Sequence, residues 1–193
     1  MNNQGQEQRK KLNLLFLTLS VAIIIGLGLT AVLQSSFLLQ TAYTGDAEAG
    51  GIALIAGGVS AFLGAVIMAL LEIALVHLVA KFFDGDAGFV RFFSFAGIGF
   101  GFTLVASIIS YLLIQTAPEE QLAEIGNLMA SDPGLITTIP VIHTTEIIGV
   151  IGSILTAGWI VFSAYREHKP KTTGIIASIV ILGAFIIIPT VFL

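Results

Sequence analysis

Five stretches of the chain, 12–33, 52–80, 89–114, 136–164 and 173–193, are each apolar over more than twenty residues. A helix of about 20 apolar residues spans the roughly 30 Å hydrocarbon core of a bilayer. Backbone amides inside lipid have no water to bond, so each such stretch must satisfy its own as a helix. A transmembrane β-barrel would instead show alternating segments of about ten residues, and the sequence has none. Only 10% of the 193 residues are charged against 56% hydrophobic, where a soluble domain carries about 25% charged residues. The pattern predicts an all-α polytopic membrane protein: one domain, 1–193, built as a five-helix transmembrane bundle. The first run is too long for the apolar region of a signal peptide, about 7–15 residues, and "AVLQSS" is a poor cleavage site. It is expected to stay as the first span.

The cations fix an orientation. Arg9, Lys10 and Lys11 precede the first span, Lys81 and Arg91 flank the second connection, and Arg166, Lys169 and Lys171 sit in the fourth; these are all eight basic residues. The other side carries Asp46, Glu48, Glu119, Glu120, Glu124 and Asp132. The positive-inside rule then places the amino terminus in the cytoplasm and the carboxyl terminus outside, in an integral cytoplasmic (cell) membrane protein. No basic patch of the kind that binds nucleic acid is present. With no cysteine, disulfides and thiolate metal sites are excluded. The outer connection, 115–135, contains "APEEQLAEIGNLMASDP", with acids in a first turn and Leu122, Ile125, Leu128 and Met129 at helical spacing. A short extracytoplasmic amphipathic helix lying on the outer face is expected there.

Helices in lipid meet where small residues let backbones approach. Gly57 and Ala61 in the second run, Gly97 and Gly101 in the third, and Gly149 and Ser153 in the fourth are spaced by four and are expected on packing faces. They also make a homo-oligomer or a membrane-protein partner plausible.

Two acids interrupt the apolar runs. Glu72 lies nine residues before Lys81, about 13 Å inside the boundary at about 1.5 Å per residue. Glu146 lies at comparable depth from the other side, and "HTTE" places His143 three residues before it, on the same helix face. Intramembrane acids usually face a bundle interior and often mark ion or proton pathways. Two readings stay open: Glu72, His143 and Glu146 converge on a proton or divalent-cation site, or each hydrogen-bonds a neighbouring helix and fixes its register. "HTTE" is not a zinc-protease motif, and neither a nucleophile elbow nor a phosphate loop is present. The chain is therefore expected to be a non-enzyme without a cofactor.

The segment "ALVHLVAKFFDGDAGFVRFFSFAGIGF" resembles the Yip domain family, membrane proteins first known as interactors of Ypt/Rab GTPases. The likeness lies in a span ending in His and Lys, an acid-flanked glycine, and Phe-x-Arg-Phe-Phe leading into a glycine-bearing span. The chain departs from the eukaryotic pattern: no Asp-Leu-Tyr-Gly-Pro motif precedes the first span, and Gly97–Gly101 stands where relatives carry a proline. The short loops point to a prokaryotic member. The resemblance implies a five-span accessory or scaffold protein with a cytoplasmic contact loop at Lys81, Asp84, Gly85 and Arg91. A small proton- or cation-transporter using Glu72, His143 and Glu146 is the alternative.

Overall fold

The computed structural model describes residues 3–42, 47–83, 85–131 and 133–192; Asp46, Asp84 and Asp132 lie outside the described residues. Every described element is helical. α1 runs Asn3–Ala42, α2 Ala47–Phe82, α3 Phe89–Ala96, α4 Phe100–Gln115, α5 Glu119–Ser131, α6 Pro140–His168 and α7 Thr172–Phe192. Four stretches are long and apolar enough to cross a membrane, Lys10–Thr41, Gly51–Phe82, Phe89–Gln115 and Pro140–His168; the apolar helix Thr172–Ile186 is shorter. α1 packs along α2 and along α3 and α4, α4 lies against α6, and α7 packs on α2 and α6.

The interior is narrow. Ile24 and Leu27 of α1, Ile73 and Val76 of α2, Phe92 of α3 and Ile160 of α6 are buried in one cluster. Most other large apolar side chains face outward, among them Leu29, Ile55, Val105, Ile154 and Val180. That outward belt suits hydrocarbon, and it means helix association rests on close packing and hydrogen bonds rather than on expulsion of water. Close approach is visible at Gly57, where a Cβ would sit 2.6 Å from Leu39 and 3.3 Å from the Ser35 hydroxyl of α1. On α6 the close approach is at Gly152, whose Cβ would meet Ala106 at 2.7 Å. Gly149, expected at that packing face, meets nothing within 4 Å, because a three-residue offset turns it about 60° around the helix. Ser153, expected beside it, lines a cavity.

The stretch 89–114, expected as one continuous helix, is broken between α3 and α4 by a 3-10 turn at Gly97–Gly99. Such a break frees carbonyls that lipid cannot satisfy, and neighbouring helices supply the donors. Trp159 Nε1 donates to Phe95 O at 2.8 Å, Thr156 Oγ1 to Gly99 O at 2.9 Å, and Ser20 Oγ to Ser94 O at 2.9 Å. The glycines make room for those donors. A Cβ on Gly97 would lie 2.6 Å from Ser20, and one on Gly99 would lie 2.7 Å from Trp159. The 3-10 turn is thus a docked feature, held by α1 and α6.

α5 is the amphipathic helix expected in the connection 115–135, but its apolar face is covered by protein. Ile125 is fully buried with Ile114, Ile139 and Ile142, and Phe37, Leu38, Leu122, Leu128 and Met129 pack around them. Gln121 Oε1 accepts from Val141 N at 3.2 Å, serving one of the free amides in the first turn of α6. α5 therefore caps one end of the bundle, the end away from Lys81 and Arg91.

Candidate functional site

The basic end gathers the connection between α2 and α3 and the connection between α6 and α7. α2 continues to Phe82 and carries Lys81 in its last turn. The chain then reverses through Gly85, whose N–H donates to Ala80 O at 2.9 Å. A Cβ at Gly85 would fall 2.5 Å from that same carbonyl oxygen and 2.9 Å from His168 Nδ1. Only glycine allows the loop to lie this close to both. Lys171 N donates to Phe83 O at 3.2 Å, so the two connections are bonded into one surface. α6 ends there because Lys169 takes the left-handed conformation, with φ 48°, the usual geometry of a helix stop.

Beneath this surface sits a buried aromatic and imidazole cluster. His77 Nδ1 and His168 Nε2 are 3.0 Å apart, so one imidazole donates to the other. His168 is 1% exposed and His77 8%. Phe92 stacks on His77 with centroids 5.8 Å apart and tilts against His168 at 5.0 Å; Phe89 meets the edge of His77 at 5.1 Å. Lys81 and Asp86 lie within electrostatic reach of His168.

Beside the imidazoles, Glu167 joins α6 to α3. Its carboxylate is 2% exposed; Oε2 lies 2.5 Å from Arg91 Nε, and Oε1 lies 3.4 Å from Arg166 Nε. The Arg91 contact is an ion pair whose angle falls outside hydrogen-bond geometry. Arg166 also lies over the Phe95 ring, 4.6 Å from its centroid, a cation–π distance. A carboxylate this buried needs cations beside it, and two guanidinium groups supply them. Phe82 projects from the same end with 82% of its surface exposed.

The residues expected at the contact loop, Lys81, Gly85 and Arg91, thus share one end with Glu167 and His168, which were not singled out from the sequence. A usable signal was present: two histidines, each close to a boundary on the basic side, in different spans.

The intramembrane acids are distributed differently. Glu72 lines a cavity of about 260 Å³ together with Thr103, Ser107, Ser153 and Thr156 and with apolar side chains such as Leu27 and Phe100. The wall is itself hydrogen-bonded, with Thr103 and Thr156 hydroxyls 2.8 Å apart and Gln34 Nε2 donating to Ser107 O at 2.9 Å. His143 and Glu146 are near one another, Nδ1 to Oε2 3.8 Å, with side chains 66% and 45% exposed. They line a second cavity, about 680 Å³, which shares Ser153, Phe185 and Ile186 with the first. Glu72 and the His143–Glu146 pair are therefore in adjoining cavities rather than one ligand cluster. Among the described residues, no group of three histidine or carboxylate side chains could hold a metal ion.

A multi-helix apolar bundle with a buried polar cluster at one end defines an integral membrane protein. The family model of the Yip1 domain matches residues 4–192, and the chain belongs to that family. No curated protein and no solved structure matches the chain.

Proposed function

We propose that this Yip1-family protein is a non-enzymatic accessory or scaffold protein that presents its basic end to a membrane-protein partner or to a second copy. In this reading α7 completes five spans, the amino terminus and the loop between α2 and α3 are cytoplasmic, α5 and the carboxyl terminus are outside, and the host is the cell membrane of a prokaryote. Lys81, Gly85 and Arg91 form the contact surface, with Phe82 as its apolar element. The observation that carries this is the fixing of the loop from beneath: Gly85 lies on His168, Arg91 is held by Glu167, and Phe83 is bonded to the connection beyond α6. A loop ordered in advance loses little conformational entropy when a partner docks. An exposed aromatic among cations is the composition of an interface anchor.

The test is site-specific photo-cross-linking from position 82 in native membranes. A discrete cross-linked species that disappears when Gly85 is replaced in a folded variant supports the reading. No discrete species from a well-folded wild type overturns it.

Transport is the second reading, and the adjoining Glu72 and His143–Glu146 cavities favour it, since they place two acids along largely apolar space running from mid-bundle toward the α5 end. Proton or divalent-cation flux in proteoliposomes that vanishes in a folded Glu72→Gln, Glu146→Gln variant would put transport ahead of scaffolding.

A further inference from the structure

A groove of about 550 Å³ lies at the basic end between α1 and the start of α3. Lys10, Asn13 and Arg91 line it together with the apolar Leu14, Leu17 and Val90. It opens onto the outer side of α1, where Leu14, Leu15 and Leu19 are 64%, 59% and 44% exposed. Leu14 also lines a neighbouring groove along α1 with Leu15 and Leu19, so an apolar track adjoins the polar part.

The charge in the groove is positive. Glu167 is the acid nearest Arg91, and it is shared with Arg166, so two guanidinium groups face one carboxylate and Lys10 adds a further cation. Arg91 contacts Glu167 through Nε, remains 63% exposed and lines the groove. The first turn of α3 also opens here, with Gly88 as N-cap and no side chain capping its amides; those amides favour an anion.

We infer that this groove binds an anionic phospholipid, its phosphate between Lys10 and Arg91 and its acyl chains along Leu14, Leu15 and Leu19. The shape selects a lipid: a soluble phosphate would use the rim and leave the apolar track empty. The inference does not depend on the partner-docking reading, because the groove lies on the α1 side of Arg91, and its readout is lipid retention rather than protein capture.

The experiment is native mass spectrometry of the full chain released from bilayers of equal phosphatidylglycerol and phosphatidylcholine. The wild type is expected to retain phosphatidylglycerol preferentially. Removing Lys10 as Lys10→Gln should reduce that preference about fivefold, the factor equivalent to about 1 kcal/mol per surface cation. A Lys10→Gln, Arg91→Gln variant should reduce it further. Lys10 is exposed and outside the Glu167 clamp, so its single variant reports even if loss of Arg91 unfolds the protein. Equal retention of the two lipids by the wild type overturns the inference, as does an unchanged preference in Lys10→Gln. Displacement of the retained lipid by water-soluble glycerol phosphate would overturn the lipid assignment, showing that the rim reads phosphate alone.

Discussion

Two glutamates, Glu167 and Glu72, are withdrawn from water and treated in opposite ways. Glu167 sits at the basic end between two arginines and ties α6 to α3. Glu72 sits in mid-bundle beside a cavity lined by Thr103, Ser107, Ser153 and Thr156 among apolar side chains, and among the described residues no arginine or lysine lines it. An acid clamped by cations is a structural pin, and removing it leaves charges without a partner. An acid kept beside open space in a membrane is costly and contributes little packing in return. The contrast separates an acid that ties two helices together at the basic end from an acid that borders a cavity in mid-bundle.

The sharpest way to break the comparison is at the loop the pin supports. Gly85→Val should lower stability by about 3 kcal/mol, the upper range for overpacking, because a Cβ there meets the Ala80 carbonyl at 2.5 Å. Thermal unfolding in detergent, followed through the single tryptophan, measures it. Next is Glu167→Gln, expected to destabilise by about 2 kcal/mol. That is less than the roughly 3–5 kcal/mol for breaking a fully buried pair, because Arg91 and Arg166 are more than half exposed and water screens them. A double-mutant cycle with Arg91→Ala should return most of that value as coupling.

Trp159→Phe comes third. It removes the donor to Phe95 O and should lower stability by about 1 kcal/mol, read by circular dichroism because the fluorophore is lost. Smallest is Glu72→Gln, which loses no ion pair and should shift stability by less than about 0.5 kcal/mol. A loss of about 2 kcal/mol at Glu72 would erase the distinction between the two acids.

The helical membrane class was legible because lipid permits few alternatives to long apolar helices, and the family was legible in the segment around Lys81 and Arg91. The break at Gly97–Gly99 was not. Glycines four apart read as a packing face, and the donors that hold the turn come from far along the chain: Thr156 and Trp159 about sixty residues after it and Ser20 on α1 before it. The apolar face of α5 could equally have met lipid or protein; Ile125 is buried because Ile139 and Ile142 of the next helical segment reach it. Glu167 and His168 were hidden within "YREHKPK", a string that reads as a solvated charged turn. Their roles come from Arg91 and His77, 76 and 91 residues away, and pattern reading along one helix cannot see partners at that separation.

The most direct test of the account is photo-cross-linking from position 82 in native membranes, comparing Glu167→Gln with Glu72→Gln at equal amounts of folded protein. The account predicts that the partner cross-link is lost or strongly weakened in Glu167→Gln and kept in Glu72→Gln. A cross-link that survives loss of Glu167 and disappears with Glu72 would contradict it, and would move the functional centre from the basic end to the cavity in mid-bundle.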